Sequence, residues 1–149
     1  MDRLTKEERS KNMAAIRSKN TKPEIILRKW LFSKGLRFRL NVSYIPGHPD
    51  IFLRKYNTAI FVHGCFWHRH GGCKYAYTPK SRLEFWENKF KKNIERDQKV
   101  RTELYQVNIK CLIVWECTIN QMKKQMEFKA LVMKKIEQFL QDDCLYLEL

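Results

Sequence analysis

Two periods of apolar residues run along this chain, and they predict its elements. Around residues 5–17 a basic stretch carries Met13 and Ile16 three positions apart, a narrow helical stripe. Thr21-Lys22-Pro23-Glu24 has the form of a helix start, with Thr21 as N-cap, Pro23 in the first turn and Glu24 closing a capping box. Ile26, Leu27, Trp30 and Leu31 then form a stripe, and the helix is expected to run to Ser33 and end at Gly35. Leu36 to Leu40 alternates with period two, as a half-buried strand does. After the turn Pro46-Gly47-His48-Pro49, strands over Asp50–Arg54 and Thr58–His63 are close enough to form a hairpin across Lys55-Tyr56-Asn57.

A loop rich in Gly, His and Cys follows. Ser81-Arg82-Leu83-Glu84 reads as a second capping box, opening a long basic helix to about Val107. Ile109–Trp115 is nearly all apolar, as in a central strand buried on both faces. A last helix is expected over about 121–141. The order α-α-β-β-β-α-β-α predicts an α/β fold, a mixed central sheet with flanking helices. With no repeat, linker or low-complexity tract, residues 1–149 are expected to form one domain.

Charge narrows the functional classes. Thirty Lys and Arg against sixteen Asp and Glu give +14, which suits a polyanionic partner, because neutralising phosphates releases counterions. No apolar run reaches the roughly 20 residues of a membrane span, and the first residues lack the apolar core of a signal peptide. The expectation is an intracellular, cytoplasmic protein with no membrane partner. In a reducing compartment its five cysteines point to metal or free thiols.

Cys65, His70 and Cys73 lie within nine residues, and Cys117 follows the apolar strand. Thiolate and imidazole are the ligands Zn²⁺ prefers, and four of them close a structural tetrahedron. Cys111 competes with Cys117 for the fourth position, but it falls inside the strand. Cys111 and Cys144 are both expected in the core.

Asp50 opens one strand of the predicted hairpin and His63 ends the other. Pairing brings the Asp50 carboxylate beside the Val62–His63 backbone, an oxygen site suited to Mg²⁺. The alternative for Asp50 is a plain strand-end aspartate. With His70 given to zinc, His63 and His68 remain for proton transfer, or are solvated loop residues. Phe66 and Trp67 flank this site, and Trp86 starts the long helix among Lys80, Arg82 and Lys89. Such rings can wedge into a base step; Trp86 with Phe85 and Phe90 fits core packing equally. Lys89, Lys91, Lys92, Arg96 and Lys99 would face phosphates.

Ser10-Lys11-Asn12-Met13, Pro46-Gly47-His48-Pro49-Asp50, His63-Gly64-Cys65-Phe66-Trp67-His68, Phe85-Trp86, Asn93-Ile94-Glu95-Arg96-Asp97 and Val114-Trp115-Glu116-Cys117 occur in this order. Over about residues 8–120 the chain thereby resembles the very short patch repair (Vsr) endonucleases. The resemblance implies a restriction-endonuclease-like fold of the PD-(D/E)XK superfamily; a monomer is expected, since one nick needs one active site and no heptad or obvious dimer face appears. It implies nicking of one strand 5′ of the mispaired T in a T:G mismatch in double-stranded DNA, which starts repair of deaminated 5-methylcytosine, with repair-pathway proteins as further partners. It makes Asp50 and the Val62 carbonyl the Mg²⁺ ligands, His68 the general base, and Glu24, His63 and Asp97 supporting catalytic residues. Zinc ligands fall on Cys65, His70, Cys73 and Cys117, and wedging aromatics on Phe66, Trp67 and Trp86. Met13 and Ile16 fall on a minor-groove helix; Lys89 and Asn93 fall where the mismatch is read from the major groove. Val62 stands where the family often has Thr, and Arg69 and Gly71-Gly72 replace a histidine-rich run. The competing readings are a restriction enzyme of this fold cutting matched DNA and a non-catalytic zinc-containing DNA-binding module.

Overall fold

A computed structural model describes Thr5, Glu7 and residues 20–149. The expected helix over 5–17, with Met13 and Ile16, lies outside the described residues. The remaining order is α1 (Lys22–Ser33), β1 (Arg39–Leu40), β2 (Ile51–Leu53), a 3-10 turn (Arg54–Tyr56), β3 (Thr58–His63), α2 (Leu83–Gln106), β4 (Lys110–Trp115), α3 (Glu116–Lys124), α4 (Met126–Gln141) and β5 (Tyr146–Glu148). The sheet runs β1-β2-β3-β4-β5. Its first two pairings are antiparallel and its last two parallel. This is the mixed α/β sheet expected.

Strand alternation sorts side chains into two cores. Ile60, Leu112 and Val114 face one layer with Leu27 and Leu31 of α1, Ile119 and Met122 of α3, and Val132, Met133 and Ile136 of α4. Ala59, Phe61, Cys111, Ile113 and Trp115 face the other layer, with Leu104 of α2. All six residues of β4 are buried, as a central strand covered on both faces requires.

The predicted boundaries hold where apolar period or glycine sets them. α1 ends at Gly35, whose φ is +80°. The Gly35 N–H donates to the Phe32 carbonyl at 3.0 Å and the Leu36 N–H to that of Leu31 at 3.1 Å, a Schellman closure. The first expected capping box is corrected. Thr21 makes no side-chain cap, and Glu24 instead accepts the Asn20 N–H at 2.8 Å. α2 is preceded by Arg82 in the left-handed region (φ +54°), also without a side-chain cap. The strand expected over 36–40 pairs only at Arg39 and Leu40.

Two further corrections concern the C-terminal part. The expected single helix over 121–141 begins at Glu116 and breaks at Gln125, whose extended backbone (φ −130°, ψ 106°) separates α3 from α4. No Gly or Pro marks the break. Beyond it, β5 pairs parallel to β4. Cys111 is buried as expected, but Cys144 is exposed in the turn before β5. No helix among the described residues is long and apolar enough to cross a membrane.

Gly47 sets the chain's approach to the start of β2. Its φ is +81°, and a Cβ there would lie 2.4 Å from Val100 Cγ1 of α2 and 3.0 Å from the Phe61 ring. Only glycine both turns the chain and lets it pass this close to the helix.

Candidate active site and metal centre

Strand direction assembles the site. β3 and β4 run parallel with His63 opposite Trp115, so the residues that follow each strand emerge at the same edge. β2 is antiparallel to β3 with Ile51 opposite Ile60, which brings the residue before β2, Asp50, to that edge as well. Ligands gather at such carboxyl ends in open α/β sheets. Here Glu24, Asp50, Val62, His63, Trp67, His68 and Asp97 line one cleft of about 1300 Å³.

The Val62 N–H donates to Asp50 Oδ2 at 2.8 Å. Within a strand a residue's N–H and C=O point to the same side, so the Val62 carbonyl faces the side occupied by the Asp50 carboxylate. Burial pushes the Asp50 carboxyl up to about 7, despite the Val62 hydrogen bond that lowers it; the nearby Glu24 adds to the rise. A buried carboxylate and a carbonyl on one side form an oxygen donor set that fits a hard divalent cation. Glu24, 3% exposed, approaches from α1 and is paired with Arg28 at 3.5 Å.

α2 supplies the opposite wall. Trp86, Phe90, Asn93, Asp97, Val100 and Leu104 recur at three- and four-residue spacing as its covered stripe. Two members are polar, and each has a partner in the loop after β3. Asn93 Nδ2 donates to the Trp67 carbonyl at 3.0 Å. Asp97 Oδ2 lies 2.7 Å from His68 Nδ1, which fixes that ring and presents its other nitrogen elsewhere. The His63 ring stacks on His68 with centroids 3.8 Å apart and planes 6° apart. Burial, then the neighbouring His68, pushes His63 down to about 3 and keeps it neutral. His63, His68 and Asp97 are also close enough to share an ion. Parallel imidazoles cannot aim two in-plane lone pairs at one ion, so the trio suits proton handling better.

The second cluster is separate. One ligand atom each of Cys65, His70, Cys73 and Cys117 lies within 4.8 Å of all the others. Cys117 Sγ is 3.4 Å from His70 Nδ1. A zinc tetrahedron with ordinary bond lengths has edges of about 3.5–3.8 Å, so the four donors fit Zn²⁺ in kind and spacing. Burial pushes the Cys65 thiol up to about 12 and the Cys117 thiol upward too. A cation would stabilise their thiolates. Cys117, and not Cys111, is the fourth residue of this group.

Phe66 centres an aromatic group, its ring 5.1 Å from Trp67, 5.1 Å from Tyr77, 5.4 Å from Trp86 and 5.2 Å from Phe90. Phe66, Trp67 and Trp86 each remain partly exposed, whereas Phe90 is buried. Lys89 points outward on the same helix; Asn93, at 9% exposure, is turned inward to the loop.

Two participants have no local sequence signal. Trp115 reads as core, yet it stacks on His70 of the Cys/His group (4.1 Å, 5°) and meets His63 edge-on at 5.3 Å. Its Nε1 donates to Glu148 of β5 at 2.7 Å. The polar members of the α2 stripe, by contrast, are a signal present in the sequence.

Comparison with known proteins agrees with this geometry. The sequence profile of the family described as DNA mismatch endonuclease Vsr matches residues 1–74. The Type II nicking enzyme V.NmeAIP of Neisseria meningitidis is 48% identical over 118 residues, covering 79% of this chain and 84% of that protein. The Type II nicking enzyme V.XorIIP of Xanthomonas oryzae is 44% identical over 119 residues, covering 80% and 87%. The DNA mismatch endonuclease Vsr of Escherichia coli is 42% identical over 116 residues, covering 78% and 74%. With a half-buried carboxylate–histidine cluster at the end of its sheet and relatives of this closeness, the chain belongs to the Vsr family of DNA mismatch endonucleases.

Proposed function

We propose that this chain nicks one strand of double-stranded DNA 5′ of the mispaired T in a T:G mismatch, as a monomer in the bacterial cytoplasm. Such a nick initiates very short patch repair of deaminated 5-methylcytosine, with repair-pathway proteins acting downstream. The observation that carries the chemistry is the meeting of Asp50, Val62, His63, His68 and Asp97 in one cleft. The names of its nicking relatives support cleavage of a single strand.

Asp50 and the Val62 carbonyl would hold Mg²⁺, which when bound neutralises charge on the scissile phosphate and acidifies a water. The chain's own groups do the rest. His68, oriented through Nδ1 by Asp97, accepts the proton of the attacking water at its other ring nitrogen. His63 stays neutral and packs flat on His68, so it supports that ring without adding like charge. Glu24 adds negative charge near Asp50 and favours a cation there.

Cys65, His70, Cys73 and Cys117 would hold a structural Zn²⁺ that ties the loop after β3 to the start of α3. A restriction-endonuclease-like fold of the PD-(D/E)XK type accords with the mixed sheet and with Asp50 at its edge. Phe66, Trp67 and Trp86 wedge at the mispaired step, which costs less to unstack than a paired one. Lys89 and Asn93 read the mismatch from the major groove, Asn93 in addition to its tie to Trp67. Met13 and Ile16 enter the minor groove. The +14 charge supplies sequence-independent attraction to phosphates.

The test uses end-labelled duplexes of one sequence, matched or carrying a T:G pair, with Mg²⁺. The expected product is a nick in the T strand of the mismatched duplex alone. Equal cutting of both duplexes removes the mismatch reading, and double-strand cutting points to a restriction enzyme. No cutting, with binding intact, leaves a DNA-binding module.

A further inference from the structure

Arg69 stands between His68 of the cleft and His70 of the zinc cluster, at a left-handed φ of +54°. That backbone geometry is uncommon for a residue with a Cβ and marks a place where the surroundings hold the chain. It sends His68 toward Asp97 and His70 toward Cys117. The Arg69 side chain takes a third direction, into the loop itself.

There it makes a dense set of contacts. Nη1 donates to the Tyr77 carbonyl at 2.9 Å and the Phe66 carbonyl at 3.3 Å. Nη2 donates to the Ala76 carbonyl at 2.9 Å and Thr78 Oγ1 at 3.2 Å. The guanidinium lies 3.8 Å from the centroid of the Phe90 ring on α2. The turns of this loop use the carbonyls of Gly64, Cys65, His70 and Cys73. Arg69 serves a complementary set, joining the loop's first part at Phe66 to its later part at Ala76–Thr78. No helix or strand lies between His63 and Leu83, so cross-links of this kind and the metal cluster determine the loop's shape.

We propose that Arg69 is a positioning residue for mismatch recognition: its planar fork and its stacking on Phe90 hold the aromatic group of Phe66, Trp67 and Trp86 rigid against α2. The assignment rests on the mismatch-nicking reading and deepens it. Opening a base step costs a few kcal/mol, and a side chain driven into DNA delivers that only if it does not recoil into its own loop. Phe66 and Trp67 sit on the unsupported loop, whereas Phe90 is fixed in the core. Arg69 is the cation that joins the two, by carbonyl bonds on one side and ring stacking on the other. A lysine cannot reproduce this, because one ammonium serves fewer carbonyls and lacks the flat face.

The experiment compares the zinc-loaded wild type with Arg69→Lys and Arg69→Met, each checked for zinc content and circular dichroism. Both variants are expected to retain one zinc and to bind matched duplex within about twofold of wild type, since that affinity comes from phosphates. Turnover on the T:G duplex, and the preference for T:G over T:A, should fall about tenfold or more. The fluorescence rise of 2-aminopurine beside the mispair, which reports unstacking on binding, should shrink in parallel. Backbone hydrogen exchange over residues 66–78 should speed about tenfold.

Unchanged preference and unchanged exchange would overturn the assignment, as would full rescue by lysine, which would make charge the operative property. Loss of zinc from both variants would overturn it too, placing Arg69 in metal retention. A wild type that does not prefer T:G removes the mismatch reading. Exchange over 66–78 then still decides whether Arg69 orders the loop.

Discussion

Replacing Asp50 with Asn should make the Mg²⁺-free domain more stable near neutral pH while abolishing nicking. Burial raises the Asp50 carboxyl from 3.8 to about 7, a difference of roughly 4 kcal/mol at 1.36 kcal/mol per pH unit. Below pH 3.8 the group is protonated in folded and unfolded chains alike. As pH rises from there to about 7, the unfolded chain releases the proton and the folded chain keeps it, so the folded state loses stability over that window. Asparagine can accept the same Val62 N–H and has no proton to lose. The stability gap between variant and wild type should therefore widen with pH and level off above 7. The usable window starts near pH 5.5, because acid protonates zinc-bound Cys and His. Between there and pH 8 the gap should grow by about 2 kcal/mol. Urea unfolding in buffers without Mg²⁺ or chelator, which would strip zinc, measures it. Added Mg²⁺ should stabilise wild type at pH 8 and leave the variant unmoved. Parallel stability curves for the two proteins from pH 5.5 to 8 would refute the reasoning, since they would mean the carboxyl is already ionised in the folded chain.

Three further outcomes follow from other contacts. Asp97→Asn removes the charged partner that sets His68 Nδ1; such a bond is worth about 1.5–3 kcal/mol, so nicking should slow about 10- to 100-fold with DNA affinity kept, and an unaltered rate would mean His68 is oriented otherwise. Cys117→Ser should lose zinc and, at a cost of roughly 3 kcal/mol, lower Tm by about 10 °C; retention of one tightly bound zinc by direct metal analysis would exclude Cys117 as a ligand. Gly47→Ala, with its Cβ 2.4 Å from Val100 Cγ1 at φ +81°, should destabilise by about 2–4 kcal/mol in urea unfolding. Adding Val100→Ala should recover part of that loss, and strictly additive effects would show the clash is relieved elsewhere.

Legibility in the sequence followed the range of the interactions. The two strands β3 and β4 and the end of α1 were readable because apolar period and a single glycine determine them locally. The Cys65-His70-Cys73 spacing was readable for the same reason. The fourth member of that group was not secure, since the parallel pairing of His63 with Trp115 is what brings Cys117 to the loop. The first capping box failed because Glu24 accepts from Asn20, one residue before the expected N-cap, and α2 begins from Arg82 in a left-handed turn that no apolar period signals. β5 escaped because three residues carry too little period, and its partner strand lies more than thirty positions earlier. Asp97 and Asn93 were visible in principle, as polar members of the one covered stripe of a basic helix. Arg69 was not, since its acceptors are backbone carbonyls of whichever loop it closes.

In three dimensions the Cys/His cluster and the Asp50–His68 cleft share one wall. Trp115 lies flat on His70 of the cluster and edge-on to His63 of the cleft. It is held by Glu148, which also accepts from the Tyr146 hydroxyl at 2.7 Å. A shift of the Cys65, His70, Cys73 and Cys117 group would therefore reach His63 through the indole, and from His63 the stacked ring of His68. Trp115 turns its face to His70 and its edge to His63, and β5, though remote from the motif residues in sequence, holds that indole through Glu148. Hard-oxygen and soft thiolate donors select different ions, so the metals proposed for the two sites would not compete across that side chain.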